Sequence, residues 1–178
     1  MNRIQVKDKF FVPFLDAHTI HERITDLAAQ INEDYQGKET LFIGILNGSF
    51  IFASDLFKKI SIPASISFIK LVSYKGTTSS GTVITSIGLE EDLSDKHVVL
   101  VEDIVDTGRT LTEFIPVLKK QNPASVKICT LLQKPDALLF PLQVDYVGFS
   151  IPNKFVVGYG LDYDGMGRNS GEIYQLAD

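Results

Sequence analysis

The stretch Val98-Val99-Leu100-Val101-Glu102-Asp103-Ile104-Val105-Asp106-Thr107-Gly108-Arg109-Thr110 decides the fold. Its solid apolar opening, Val98 to Val101, is the pattern of a strand buried on both faces, which belongs to parallel sheets. The strand delivers two adjacent carboxylates, Glu102 and Asp103, to the carboxyl edge of such a sheet, where α/β folds bind ligands. A tight turn follows, and a helix is expected from about Thr110 to Lys120, with Pro116 kinking it or cutting it short. Backbone N–H groups at that helix start, the hydroxyls of Thr107 and Thr110, and a glycine that permits close approach form a cradle for a phosphate dianion. Glu102 and Asp103 can hold sugar hydroxyls directly or through hydrated Mg²⁺, which prefers carboxylate and phosphate oxygen. The plainer alternative is a strand-to-helix turn capped by Asp106 and Thr107, with both carboxylates solvated. An isolated Asp-Thr-Gly favours that alternative; the whole stretch favours the cradle.

Outward from this stretch, buried strands and amphipathic helices alternate. Asp16 reads as a helix N-cap, and Ile20, Ile24, Leu27, Ala28 and Ile31 recur at helical spacing up to a stop at Gly37. Thr40 to Leu46 is a buried strand, broken by Asn47-Gly48-Ser49, and Phe50 to Ile60 reads as a helix. Further strands are expected over Ser65–Val72, Val83–Leu89, Ser125–Leu132, Asp145–Ile151 and Phe155–Tyr159. Ser73 to Thr82 contains no apolar aliphatic residue and reads as a mobile loop. The last fifteen residues, rich in Gly, Asp and Tyr, show no period and read as an ordered tail or hood. The order of elements argues for a parallel α/β sheet with helices on both faces.

Composition excludes several classes. At 178 residues one domain is expected, and 44% hydrophobic with 22% charged residues is the balance of a soluble globular chain. No apolar run reaches membrane-spanning length, and the first residues lack an apolar signal core. A net charge of −5 has the wrong sign for a nonspecific nucleic-acid surface. A single cysteine, Cys129, allows no internal disulfide and no cysteine-based zinc site. The expectation is a reduced, cytoplasmic protein.

The Val98–Thr110 stretch resembles the phosphoribosyl pyrophosphate signature of the type I phosphoribosyltransferases. Other segments narrow the resemblance to hypoxanthine-guanine phosphoribosyltransferases. Leu46-Asn47-Gly48-Ser49 looks like their pyrophosphate loop. Ser73-Tyr74 looks like the opening of their mobile lid, here residues 73–82. Lys134 lies where they place a lysine against the base. Val147 to Tyr163, through Phe155-Val156-Val157-Gly158-Tyr159-Gly160-Leu161-Asp162, is similar to their purine-site segment. The resemblance runs in order over roughly residues 10 to 170.

It implies a single domain over 1–178, a parallel twisted sheet flanked by helices, with a small hood from about 1–15 and 152–178. It implies transfer of phosphoribosyl from phosphoribosyl pyrophosphate to a free 6-oxopurine, with Mg²⁺, in a homodimer or homotetramer with no nucleic-acid or membrane partner. Asp106 would accept the purine N7 proton. Thr107, Gly108, Arg109 and Thr110 would hold the 5′-phosphate, while Glu102 and Asp103 take ribose hydroxyls and metal. Lys134 would read the base, Phe155 stack on it and Val156 offer backbone groups to its edge. Asp162 would ligate a second Mg²⁺ through water, and Arg168 would join Leu46, Asn47 and Gly48 around the pyrophosphate.

Taken singly, some of these have ordinary readings: a surface Lys134 at a turn, a core Phe155, a turn-making Asp162. The family often has Lys where this chain has Asn47, so a backbone role of that loop survives here and a charged side-chain role does not. Two rivals stay open on sequence. One is a regulator of the same fold that binds the metabolite as an effector; the other is an enzyme preferring xanthine.

Overall fold

Strands that are apolar on both faces must be covered on both faces, and the arrangement follows from that requirement. The computed structural model describes residues 3–75 and 82–177. In chain order the elements are β1 (Ile4–Val6), β2 (Lys9–Leu15), α1 (Ala17–Asp34), β3 (Thr40–Leu46), α2 (Phe50–Phe57), β4 (Ala64–Lys75) and β5 (Thr82–Ile87). Then come β6 (His97–Val105), α3 (Arg109–Lys119), β7 (Ser125–Gln133), β8 (Tyr146–Ser150), β9 (Val156–Val157) and β10 (Ile173–Leu176). The main sheet has the order β5-β4-β3-β6-β7-β8. β4, β3, β6, β7 and β8 run parallel, and β5 lies antiparallel against β4 at the edge.

Alternation along β6 divides the core in two. Val99 and Val101 face α1 and α2, packing with Ile20, Ile24, Leu27, Phe42 and Phe52. Val98 and Leu100 face α3, packing with Leu41, Ile43, Leu111, Phe114 and Leu118. Each fully buried large side chain, such as Phe42, Phe52 or Phe114, contributes about 1.5–3 kcal/mol relative to exposure. Asp16 caps α1 by accepting from the Thr19 N–H at 2.8 Å, as the sequence indicates.

The terminal segments make a second, antiparallel sheet in the order β1-β2-β10-β9. β9 falls within the segment that the resemblance assigns to the purine. Pro13 sits inside β2 without a backbone donor. It lies past the end of β1, which pairs only as far as Phe11, and next to a register shift opposite Ile173 and Tyr174.

Several sequence expectations need correction. The loop expected over Ser73–Thr82 begins later, because Ser73, Tyr74 and Lys75 continue β4 and Thr82 opens β5, pairing as Ser73↔Ile84, Tyr74↔Val83 and Lys75↔Thr82. Polar residues suffice there because an antiparallel ladder satisfies the backbone whatever the side chains. The rest of the expected lid, 76–81, falls outside the described residues. β6 does not end at Glu102-Asp103 but runs on to Val105, so both carboxylates lie within the strand. α2 stops at Phe57 rather than Ile60. The strand expected over Phe155–Tyr159 is only Val156–Val157, because Gly158, Tyr159 and Gly160 all turn to positive φ.

α3 continues through Pro116 to Lys119. The proline ring is on the exposed side of the helix, so it meets no packing clash, but the Thr112 carbonyl loses its helical donor. Pro116→Ala restores that N–H and should stabilise the fold by about 1 kcal/mol, raising Tm by about 2–4 °C. Thermal unfolding checks this, and an unchanged or lower Tm contradicts it.

Candidate active site

The phosphate cradle is shaped by the chain on either side of it. The Val105 carbonyl accepts from the Lys134 N–H at 2.9 Å, and that of Thr107 accepts from Leu139 and Phe140 at 3.0 and 3.2 Å. The β7–β8 connection therefore grips the turn from outside. Gly108 is the N-cap of α3 at φ 79° and provides no capping side chain. A Cβ there would press on Leu138 and the Phe140 carbonyl at 3.2 and 3.3 Å. The capping by Asp106 and Thr107 considered from sequence is reduced to one long bond, from the Arg109 N–H to Thr107 Oγ1 at 3.4 Å. The helix start thus keeps polar N–H groups directed at a cleft of about 110 Å³, lined by Glu102, Asp106, Thr107, Gly108, Arg109 and Thr110. The Arg109 Nε reaches back to Glu113 Oε1 at 2.9 Å.

The carboxylates are enclosed rather than solvated. Glu102 lines the cradle, and its Oε2 is buried without a hydrogen-bond partner among the described residues. Burial, reinforced by the neighbouring Asp103, pushes its carboxyl well above the usual range. Asp103 is pushed up to about 6, by burial first, against the hydrogen bond it accepts from the Ile104 N–H and the nearby Arg168 charge. It presses on the Leu46-Asn47-Gly48 turn so closely that a Cβ on Gly48 would lie 1.6 Å from its Oδ2. The Leu46–Asn47 peptide is cis.

Asp106 is half-exposed at the lip of the cradle. The Lys134 Nζ meets its Oδ2 at 2.9 Å, and Lys134 is only 6% exposed. The surface-lysine reading of Lys134 is therefore excluded.

On the hood side, Phe155 is 42% exposed, so it is not the core phenylalanine that its residue type alone suggests. Tyr163 meets it edge-on at 5.8 Å, and Phe11 lies 6.2 Å away. The Leu176 N–H bonds the Phe155 carbonyl, and strand alternation leaves Val156's own N–H and C=O on the open edge of β9. Asp162 does make a turn, accepting from the Gly165 N–H at 2.6 Å, and also pairs with Arg168 Nη2 at 2.8 Å. Arg168 Nη1 donates to the Gly160 carbonyl at 2.7 Å.

The expected residues therefore gather in two groups that join at Asp103. One holds Glu102, Asp106 to Thr110 and Lys134; the other holds Leu46, Asn47, Gly48, Asp162 and Arg168. The side chains of Ser73 and Tyr74 lie outside the described residues. Sequence reasoning missed Phe11, Tyr163 and Lys9, whose ammonium lies 4.9 Å from the Tyr163 ring centre. The one signal available was the Lys9-Phe10-Phe11 run ahead of the first helix.

The family model for the phosphoribosyl transferase domain matches residues 14–164. A hypoxanthine phosphoribosyltransferase of Haemophilus influenzae is 42% identical over 163 residues, covering 89% of this chain and 91% of that one. The chain belongs to the hypoxanthine-guanine phosphoribosyltransferase family. A hypoxanthine-guanine phosphoribosyltransferase of Streptococcus pneumoniae is 44% identical over 154 residues, covering 84% and 86% of the two chains. Among solved structures, a hypoxanthine phosphoribosyltransferase of Staphylococcus aureus superposes with a TM-score of 0.87 at 40% identity, covering 93% and 91%. The parallel sheet with an antiparallel hood is thus this enzyme family's architecture. None of the helices described is long and apolar enough to cross a membrane.

The buried Asp103 makes stability depend on pH. Its folded pKa of about 6 lies above the ordinary carboxyl value of 3.8. The carboxyl is therefore most compatible with folding below about pH 4, and that compatibility is lost as pH rises through about 6. Asp103→Asn should accordingly be more stable than the wild type at pH 7.5 in chelator, by about 1–3 kcal/mol, with the gap closing toward pH 4. Thermal unfolding at three pH values checks this, and a gap independent of pH counts against it.

Proposed function

We propose that this chain transfers the 5-phosphoribosyl group from phosphoribosyl pyrophosphate to a free 6-oxopurine, hypoxanthine or guanine, releasing IMP or GMP and pyrophosphate. The observation that carries the reading is the contact between Lys134 and Asp106 at 2.9 Å, at the lip of a phosphate-sized cradle. An ammonium and a carboxylate lie side by side there, which supports reading the first as donor to a base carbonyl and the second as acceptor of a base proton.

In this reading the 5′-phosphate sits on the N-terminus of α3, held by backbone N–H groups and by Thr107 and Thr110. The ribose hydroxyls fall to Glu102 and Asp103. The purine stacks on the exposed face of Phe155 and presents its edge to Val156. Lys134 has three donors and no acceptor, so it binds O6 of an oxopurine. As its ammonium turns to O6 it loosens its hold on Asp106, which then accepts the N7 proton. The bond from C1′ to the purine nitrogen forms while the bond from C1′ to the pyrophosphate oxygen breaks with its electron pair. Positive charge develops on the sugar, so catalysis rests on preplaced negative groups and on orientation.

The donor set fits Mg²⁺. Glu102 and Asp103 offer hard carboxylate oxygens, and Glu102 Oε2 is a buried acceptor with no protein partner among the described residues. These two would hold the ion, and Asp162 would hold a second one through water. When bound it supplies charge neutralisation to the departing pyrophosphate. Arg168 and the backbone of Leu46, Asn47 and Gly48 act on the same end of the substrate. Association into homodimers or homotetramers and a cytoplasmic location belong to this reading.

Pyrophosphate release with phosphoribosyl pyrophosphate, Mg²⁺ and each free base in turn tests the assignment; no release with hypoxanthine or guanine rejects it. Asp106→Asn removes the proton acceptor while keeping the cradle, so kcat should fall by about 10²–10⁴-fold. A variant keeping half of the wild-type kcat excludes Asp106 from that role.

Lys134→Ala should lose activity on hypoxanthine and guanine without gaining it on adenine. Adenine offers the lysine a second donor in place of O6, and such a mismatch is rejected by about 10⁴-fold or more. The comparison is kcat/KM for the three bases. Adenine use by the wild type within tenfold of hypoxanthine would mean that Lys134 is not the base reader.

A further inference from the structure

Tyr159 stands between two glycines in a run of left-handed backbone: Gly158 at φ 98°, Tyr159 at 51° and Gly160 at 99°. A tyrosine holds that conformation only when its surroundings over-determine it, and such strain gathers where geometry matters for function. Here the surroundings are specific. The ring is 3% exposed, and its Oη donates to Asp55 Oδ2 at 2.5 Å, across 104 residues of chain. Asp55 is held in turn by Lys58 at 2.6 Å. Burial would push the Asp55 carboxyl up, but its bonds from Lys58 and Tyr159 outweigh that and hold it below the ordinary value.

Asp55 lies on α2, the helix that grows directly out of the Leu46-Asn47-Gly48 turn. Turn and helix form one unit. Ser49 Oγ donates to the Ile45 carbonyl at 2.7 Å, and the Ala53 N–H donates to the Ser49 carbonyl at 2.7 Å. On the other side, Gly160 touches that turn so closely that a Cβ would lie 2.1 Å from the Gly48 carbonyl oxygen. Gly160 is also tied to Arg168 twice, from its own N–H to the Arg168 carbonyl at 2.9 Å and from Arg168 Nη1 to its carbonyl at 2.7 Å.

We propose that the Tyr159–Asp55 hydrogen bond is a strut that fixes the spacing between the Leu46–Gly48 turn and Arg168, making Tyr159 a positioning residue for the pyrophosphate end of the substrate. This rests on the function proposed above. The strut lies beneath the site and touches no substrate atom. It sets how far apart the two walls stand that close on the leaving group. A ligand lacking the pyrophosphate does not use that spacing, and this selectivity separates the strut from a merely structural tyrosine.

The test measures binding of two probes, phosphoribosyl pyrophosphate and IMP, each with Mg²⁺, by calorimetry. Tyr159→Phe keeps the ring and removes only the hydroxyl. It should weaken phosphoribosyl pyrophosphate by about tenfold and raise its KM, while IMP stays within about twofold. Asp55→Leu cuts the same link from α2 and should give the same selective loss. Asp55→Asn keeps an oxygen to accept the Tyr159 proton and should stay within about threefold of wild type for both probes.

Equal weakening of both probes, no weakening of either, or an Asp55→Asn variant as impaired as Asp55→Leu overturns the strut. Should Tyr159→Phe fail to fold, the Asp55 pair decides. Wild-type protein that binds neither probe overturns the proposed function itself; wild-type binding of both with indifferent variants overturns the strut alone.

Discussion

Adjacent carboxylates enclosed on one strand are the constraint around which this site is built. Successive residues of β6 point to opposite sides, so Glu102 is delivered to the cradle at the start of α3 and Asp103 to the turn before α2. Each is buried enough to be pushed toward its neutral form, and neither has a lysine or arginine in salt-bridge contact among the described residues. A chain selected for stability alone would not place them there. Their placement is intelligible if something outside the protein completes them, which is the part the proposed function gives to ribose hydroxyls and Mg²⁺. The glycine at position 48 follows from the same constraint, since any side chain would displace Asp103.

The other charged groups of the site are matched internally. Lys134 is buried against the half-exposed Asp106, and the partly exposed Arg168 pairs with Asp162. For Lys134 the pairing matters most, because a buried charge without a partner is far more destabilising than a paired one. At these two positions a ligand enters by exchanging partners, whereas at Glu102 it meets an acceptor that has none among the described residues.

The parallel core was legible because its signals are local. Thr40 to Leu46 is a nearly continuous apolar run and Val98 to Val101 a solid one, and the cap at Asp16 lies three residues from the N–H it serves. The cradle was legible for the same reason, being one continuous stretch from Glu102 to Thr110. The hood was placed by family resemblance and not by pattern. Its strands are as short as Val156–Val157, β2 contains Pro13, and its pairings join chain ends that no local window can see together. Polar Ser73, Tyr74 and Lys75 read as loop because they lack an apolar pattern, and only their pairing with β5 makes them strand. The roles of Lys134 and Phe155 also came from resemblance, as neither sits in a motif of its own. The Tyr159–Asp55 bond was beyond reach altogether, since neither residue carries a signal and the distance between them exists only after folding.

The hood's pairing pattern also orders events during synthesis. β10 lies between β2 and β9 and pairs with both. Its partner β2 leaves the ribosome roughly 160 residues earlier, and closing so long a loop costs entropy that only the finished sheet repays. The β6–α3 cradle joins segments close in sequence and can form as soon as β3 and β7 flank it. A nascent chain therefore completes the β6–α3 turn well before β10 gives β9 its partner. Until β10 arrives, β2 is paired on its β1 side alone, and its other edge, from Phe11 to Leu15, stays open.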